Sequence, residues 1–338
     1  MKKKIFVTGG AGYIGSHACV ELLKENHEVM VFDDLSNSCE DSLRRVELIT
    51  NRKLSFVMGD IKNRSQLSDA FSGFKPDSVM HFAGLKSVAD SVTHPLRYYD
   101  VNVHGSINLL REMDKVDCKE IIFSSSATVY GENNTPPYIE TMPVAPVSPY
   151  GRTKLIFENI LKDWTTCATK RAVILRYFNP VGAHTSGLLG EDPKGTPNNL
   201  MPLIVQTAQH KRRELAIYGS DYDTRDGTGE RDYIHVVDLA RGHLQALDNI
   251  SNLDNFQILN LGTGRSTTVA ELIDTFKKIN NVKVPTNLVE RRPGDVAKSF
   301  ADPGIARELI GFKCNKTLEE ICSDTWNWIQ KNPNGYGS

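Results

Sequence analysis

The chain has 338 residues, with 40 Lys and Arg against 41 Asp and Glu, a formal net charge of −1. At roughly 150 residues per domain this length suggests two domains around a sizeable core, and the balanced charge argues against nucleic acid as the main partner, because a polyanion asks for a basic surface. Hydrophobic residues make up 40% and charged residues 24%, the balance of an ordinary globular protein, and the absence of any apolar run of about 18 residues argues against a membrane-spanning helix.

Lys4–Thr8 is an apolar run that stops at glycines, and a strand is expected there. The basic residues before it suggest a leader, but the apolar part is too short for one. Tyr13–Glu25 sets Ile14, Ala18, Leu22 and Glu25 roughly a turn apart, which predicts the first helix. Glu28–Phe32 reads as a second strand ending in Asp33-Asp34, and Leu54–Met58, Ser78–Phe82, Glu120–Ser124 and Ala172–Arg176 continue the series. Helices are expected around Ser65–Phe71, Val101–Val116 and Pro149–Ala168. Strands alternating with helices build βαβ units, and right-handed crossovers turn these into an α/β, doubly wound parallel sheet.

After about Phe178 the texture changes. Asn179–Asn199 is rich in Gly and Pro and predicts irregular surface segments. Met201–His210, Val236–Asn249, Val269–Ile279 and Leu318–Ile329 read as helices and Ile258–Leu261 as a strand. We therefore expect one domain over residues 1–180, with a returning piece near 234–260, and a smaller α+β domain over 181–338. The six cysteines (19, 39, 118, 167, 314 and 322) are scattered, with no C-x-x-C. That spacing predicts free thiols in a reducing cytoplasm and no metal site.

Thr8-Gly9-Gly10-Ala11-Gly12-Tyr13-Ile14-Gly15 follows the first strand and opens the first helix. Glycine suits a tight turn, close approach of the backbone to a pyrophosphate, and close packing of helix on strand, while the helix amino end offers free N–H groups to phosphate. A glycine pattern alone marks only a turn; the strand before it and the helix after it point to a dinucleotide. Asp33-Asp34 stands about 20 residues on, where a carboxylate hydrogen-bonds a ribose 2′-hydroxyl and repels a 2′-phosphate, which favours NAD over NADP. Gly59-Asp60-Ile61 and Ala83-Gly84 close two further strands at the edge where such sheets bind ligands.

Tyr150-Gly151-Arg152-Thr153-Lys154 sets Tyr and Lys one helical turn apart. A free Tyr hydroxyl, with a pKa of about 10, is a poor base at neutral pH. A neighbouring ammonium and a cationic nicotinamide both favour its phenolate, so the pair makes sense as a base for a sugar or alcohol hydroxyl. By itself Y-x-x-x-K is a common surface pattern. Ser124-Ser125-Ser126-Ala127-Thr128-Val129-Tyr130-Gly131, at the end of a predicted strand, adds a hydroxyl that can share the same substrate oxygen.

Taken together, Gly9–Gly15, Asp60-Ile61, His81–Lys86, Ser124–Gly131 and Tyr150–Lys154 resemble the extended short-chain dehydrogenase/reductase family, whose cofactor domain is a Rossmann fold. Within it the chain is similar to the 4-epimerases of UDP-hexoses, and the likeness runs on through Leu175–His184, Pro197–Pro202, Asp226–His235 and Arg291–Asp295. The resemblance implies a tightly held NAD, a UDP-sugar substrate and a homodimer, formed by analogy through helices at Val101–Val116 and Pro149–Ala168. It implies Tyr150, Lys154 and Ser126, with Thr128 beside them, as the catalytic group. Gly9, Gly12, Tyr13, Ile14, Gly15, Asp33, Asp34, Leu35, Ser36, Asn37, Ser38, Asp60, Ile61, Phe82, Ala83, Gly84, Leu85, Lys86 and Phe178 would then contact NAD, together with the catalytic group. Asn179, Asn199, Leu200, Ala216, Ile217, Tyr218, Arg231, Arg292, Asp295 and Ser299, with Lys86, Ser126 and Tyr150, would contact the UDP-sugar. Arg231 and Arg292 carry the charge to clamp a diphosphate.

Two positions depart from the pattern. Val101 stands where many such epimerases have Asn, so no role is carried over to it. Ser299 stands where many bacterial members have Tyr, and the smaller residue implies room for an N-acetyl group on sugar C2, hence UDP-GlcNAc and UDP-GalNAc beside UDP-glucose and UDP-galactose. Three other readings stay open at this point. A nucleotide-sugar 4,6-dehydratase typically needs an Asp-Glu pair where Ala127-Thr128 stands. A UDP-glucuronate decarboxylase needs a pocket for the C6 carboxylate, and a non-catalytic redox sensor has no need of the Ser126, Tyr150 and Lys154 set.

Overall fold

Short apolar runs become strands and the amphipathic stretches between them become helices that cover both faces of one sheet. The computed structural model describes residues 2–195, 197, 199–292 and 294–337. In its first half β1 (Lys4–Thr8), α1 (Tyr13–Lys24), β2 (Glu28–Asp33), α2 (Asp41–Thr50), β3 (Ser55–Met58), α3 (Arg64–Phe74) and β4 (Ser78–His81) alternate. The short helices α4 (Val88–Thr93) and α5 (Pro95–Tyr99) follow, then a π-helical turn over Asp100–Gly105 that runs into α6 (Ser106–Lys115). β5 (Glu120–Ser124), a 3-10 turn (Ala127–Tyr130), α7 (Pro149–Trp164) and β6 (Arg171–Tyr177) complete this half.

The remainder holds β7 (Asn179–Val181), α8 (Leu200–Ala208), β8 (Leu215–Tyr218), β9 (Glu230–Arg231), β10 (Tyr233–His235), α9 (Val236–Asn249) and β11 (Phe256–Leu261). After these come β12 (Thr267–Thr268), α10 (Val269–Asn280), β13 (Thr286–Val289), β14 (Lys298–Ser299), α11 (Gly304–Ile310) and α12 (Leu318–Lys331). Among the described residues seven strands form a parallel sheet in the order β11-β6-β5-β4-β1-β2-β3. The chain reverses its winding direction between β1 and β4, and at such a switch point a crevice opens at the carboxyl ends of the strands.

Alternate side chains of a strand point to opposite faces, and both faces are buried, which is why these strands read as nearly unbroken apolar runs. Val7, Val31, Met80, Ile122 and Val173 pack with Leu22 of α1 and Leu244 of α9. On the other face Phe6, Phe32, Val79 and Ile121 pack with Phe71 of α3, Leu109 of α6 and Phe157 of α7. A separate core joins Ile204 of α8, Phe276 of α10 and Ile321 of α12.

The differences from the sequence expectation lie where periodicity is weak. Val101–Val116 is a π-helical turn followed by α6, and the Pro149 helix stops at Trp164. Asn179–Asn199 contains a strand, β7, paired with β10. The smaller sheets, β12-β9-β14 and β13-β8, contain strands of two to four residues, too short to show a period of two.

Candidate active site

The glycine loop is built to a tolerance no side chain meets. Gly9 has φ +69°, and a Cβ there would stand 2.6 Å from the Ala83 nitrogen; at Gly15 it would stand 2.3 Å from the Gly9 carbonyl oxygen. Gly12 occupies the N-cap of α1 without a side chain, which leaves the first amides of the helix open to an anion. Tyr13 and Ile14 are half-buried, and the Tyr13 hydroxyl donates to the Gly182 carbonyl at 2.7 Å, tying the loop to the residue after β7.

Asp33 closes β2 and is buried. Its Oδ2 accepts from the Ala11 amide at 3.0 Å, and its Oδ1 accepts from the Leu35 amide and the Ser38 hydroxyl at 2.9 and 2.8 Å. Burial raises its pKa, and these hydrogen bonds oppose the rise. Asp33 therefore pins the glycine loop to the turn after β2, whose Asp34, Ser36 and Asn37 lie exposed. Asp60 accepts from the Lys62 amide at 2.8 Å, and the Ile61 side chain fills the space a Cβ on Gly105 would need.

The loop from Phe82 to Lys86, through Ala83 and Gly84, follows β4. The Leu85 amide donates to Asn102 Oδ1 at 2.8 Å, and Asn102 Nδ2 donates back to the Leu85 carbonyl at 3.0 Å and to the Thr153 hydroxyl at 3.0 Å. One side chain of the π-helical turn thus locks this loop to α7. Lys86 Nζ lies 3.3 Å from Glu191 Oε1, which also accepts from Asn199 Nδ2 at 3.4 Å.

α7 starts with Pro149 at its first position, and the Ser148 side chain accepts from the Gly151 amide, a combination that fixes where the helix begins. That start places Tyr150 and Lys154 on one face, both buried. Lys154 Nζ donates to the Ser124 carbonyl at 2.8 Å and lies 5.9 Å from the Tyr150 ring centroid. Ser126 caps the 3-10 turn, accepting from the Thr128 amide at 3.2 Å and the Thr128 hydroxyl at 3.0 Å. Burial dominates both titrating groups. It pushes the Tyr150 hydroxyl well above its ordinary value, with Tyr177 acting in the same direction and a hydrogen bond with Ser126 opposing. It pulls Lys154 down to about 8, against the Glu158 charge. Within the fold desolvation thus outweighs the nearby ammonium, which donates to a backbone carbonyl.

Three further groups flank this centre. Phe178 is buried at the end of β6, its ring 6.0 Å from that of Tyr138. Ser299 acts on the Tyr138 hydroxyl, opposing the rise that burial gives its pKa, and stands in register beside Arg231 across β14 and β9. In the second group the Arg292 guanidinium lies 4.7 Å from the Tyr218 ring centroid and donates to Asp295 Oδ2 at 2.9 Å, while Ala216 and Ile217 precede Tyr218 on β8. In the third, Asn199 caps α8, Leu200 opens it, and Glu191 links Asn199 to Lys86. Asn179 opens β7 and is exposed. Asn198 and Pro293, both within the segments singled out in the sequence, lie outside the described residues.

Sequence reasoning missed Asn102, Tyr138 and Glu191. Asn102 had a signal, an amide among apolar residues at the start of a helix; the other two sit in no local motif, and their links to Lys86 and Ser299 span more than a hundred residues. Among the described residues no helix is long and apolar enough to cross a membrane.

Residues 5–262 match the model of the NAD dependent epimerase/dehydratase family. A UDP-glucose 4-epimerase of Bacillus subtilis (strain 168) is 49% identical over 335 residues, which cover 99% of each chain. The fold is similar to that of a UDP-glucose-4-epimerase from Stenotrophomonas maltophila, solved with bound NAD and formylated UDP-arabinopyranose: TM-score 0.95, 46% identity, 98% of this chain and 99% of that one. It is also similar to the UDP-Glc/GlcNAc 4-epimerase of Campylobacter jejuni, with TM-score 0.85, 36% identity, and 97% and 99% of the two chains covered.

Proposed function

Because this chain belongs to the NAD dependent epimerase/dehydratase family, as an NAD-dependent enzyme that inverts C4 of UDP-hexoses, we propose that Tyr150 takes the proton of the sugar C4 hydroxyl and later returns it. The observation that carries this reading is the joint burial of Tyr150, Lys154 and Ser126 at the carboxyl edge of the sheet, in a chain whose glycine loop has no room for a side chain.

The residues present fit NAD: a glycine cradle, an open helix amino end and a carboxylate at the end of β2. Gly9 to Gly15, Asp33 to Ser38, Asp60-Ile61, Phe82 to Lys86 and Phe178 would hold it. NAD, when bound, supplies a hydride acceptor that gives the hydride back to C4. Tyr150 accepts the hydroxyl proton as C4 becomes a ketone and donates it back to the same oxygen once the sugar presents the other face of C4 for reduction. Ser126 hydrogen-bonds the same oxygen, with its hydroxyl oriented by Thr128. Lys154 holds positive charge beside the phenolate and favours it, and it binds the nicotinamide ribose. Between the two proton transfers the 4-keto sugar must turn over while the uridine diphosphate stays put. Arg231, Arg292 and Asp295 serve as that anchor, with Asn179, Asn199-Leu200 and Ala216 to Tyr218 around it, and Lys86 within reach of phosphate or ribose.

Ser299, small and half-buried beside Tyr138, leaves volume that a Tyr would fill, which supports turnover of UDP-GlcNAc and UDP-GalNAc as well. The division of labour follows the two halves: residues 1–180 with the return at 234–260 hold NAD, and the rest of 181–338 holds the UDP-sugar. We also place the enzyme in the cytoplasm as a homodimer. Val92 and Leu96, 64% and 81% exposed on the two short helices packed beside α7, support an interface there.

Turnover of UDP-galactose and UDP-GalNAc, measured side by side without added NAD, tests the reading. Activity on both is expected. Activity on UDP-galactose alone breaks only the Ser299 assignment, and activity on neither breaks the epimerase reading and turns the search to UDP-glucuronate.

A further inference from the structure

The face of α7 that carries Tyr150 and Lys154 continues one turn further to Glu158, which is 2% exposed. Glu158 Oε2 accepts from Arg176 Nη2 at 2.6 Å, and Oε1 accepts from Arg176 Nε at 3.1 Å and from the Ser125 hydroxyl at 2.5 Å. Arg176 is equally buried and lies 4.9 Å from the Tyr130 ring centroid. A buried ion pair of this kind is weak evidence for stability, because desolvation offsets the attraction. Its place in the molecule says more. Ser125 stands between two residues that touch the chemistry: the Ser124 carbonyl receives Lys154 Nζ, and Ser126 acts on the Tyr150 hydroxyl, opposing the rise of its pKa. Ser125 has no substrate assignment of its own, yet its hydroxyl is the one aimed down into the helix.

We propose that Glu158 is a positioning residue for the proton-transfer step: by gripping the Ser125 hydroxyl it sets the Ser124 carbonyl on Lys154 and the Ser126 hydroxyl on Tyr150. This rests on the assignment of Tyr150 and Lys154 made above. The ionisable groups around Lys154 and the serine turn are His81 of β4, Arg176 and Tyr177 of β6, His243 of α9, and Tyr150 and Glu158 of α7 itself. Burial keeps His81 and His243 neutral, with pKa values of about 3 and 4. Among the described residues Glu158 is therefore the negative charge that faces Lys154, and its removal disfavours the ammonium.

Two variants separate the grip from the charge. Ser125→Ala removes only the gripped hydroxyl; kcat falls roughly tenfold from the loosened geometry, while KM and the pH profile hold. Glu158→Gln also removes the charge; kcat falls by roughly ten- to a hundredfold, and the alkaline limb of its pH profile moves about one unit toward neutral, a shift that a merely structural role does not produce. Melting temperature and bound NAD, measured on the same samples, confirm that each variant is folded. Folded Ser125→Ala with wild-type kcat overturns the proposal, whatever Glu158→Gln does. Tyr150→Phe run in parallel keeps the two readings apart. If that variant retains turnover, the assignment of Tyr150 fails; if it loses turnover while Ser125→Ala does not, only the positioning role fails.

Discussion

The centre around Tyr150 and the region around Arg292 are built by opposite rules. Tyr150, Lys154 and Ser126 are each less than a tenth exposed and are seated on α7 and on the turn that follows β5. Arg292 and Tyr218 are about half exposed, and the second sits on a four-residue strand of a two-stranded sheet. Groups that move a proton must be held to a fraction of an ångström. Groups that hold a diphosphate while a sugar turns over need charge and reach more than rigidity. Segments with few buried contacts are also those that open at the least cost. The contrast between a rigid and a yielding end is what an inversion through a turning intermediate asks of its enzyme.

The largest expected effect tests the rigid end. Tyr150→Phe keeps the buried ring and removes the proton carrier, and a positioned acid–base group is worth about 10²–10⁴-fold. Turnover of UDP-galactose should fall by that factor while bound NAD and melting temperature stay near wild type. Survival of turnover would mean that the buried hydroxyl is only structural. Arg292→Ala tests the yielding end. It removes the guanidinium that lies over Tyr218 and pairs with Asp295, and KM should rise about ten- to a hundredfold, the range of a lost charge-assisted hydrogen bond or two, with kcat changed far less. A fall in kcat equal to the rise in KM would erase the distinction between the two ends. A smaller and more selective effect is expected of Ser299→Tyr. The added ring should cut kcat/KM for UDP-GalNAc roughly tenfold or more by filling space and leave UDP-galactose within about twofold. Equal losses on both sugars would show that Ser299 supports the wall without shaping it.

The same contrast explains what the sequence made legible. The rigid end is written in local patterns: six strands before residue 178 are visible as apolar runs, the glycine spacing follows one of them, and Tyr150 and Lys154 lie a single turn apart. The yielding end is assembled by pairings between distant residues, such as Ser299 beside Arg231 or Glu191 between Lys86 and Asn199. Two-residue strands have no period, and an arginine proposed to meet a phosphate looks like any surface arginine. Ser299, Arg231, Lys86 and Asn199 were reached through family resemblance alone, and Glu191 was not reached at all. Burial was the other illegible quantity. A Tyr-Lys pair reads as mutually stabilising, yet within the fold desolvation pushes both toward neutrality, and it depends on everything packed around them.

That desolvation gives the last and smallest prediction. Lys154 titrates at about 8 in the folded chain, against an ordinary value of 10.5. Below pH 8 it is charged in both folded and unfolded states, and the folded state bears the whole cost of burying the ammonium. Between about 8 and 10.5 the unfolded chain holds the proton and the folded chain releases it, so the unfolded state binds more protons and this residue's contribution to stability rises with pH. Lys154→Met lacks that titration. The melting temperature of the wild type relative to Lys154→Met should therefore climb across this window, by a few degrees at most in a chain of this size. Over the same window wild-type turnover should fall, because the charge that favours the Tyr150 phenolate is lost. Stability and activity moving in opposite directions through one titration mark a group kept charged for the reaction at the expense of the fold. A flat difference in melting temperature would place the Lys154 titration outside this range and take from the rigid end its claim to hold a buried charge under strain.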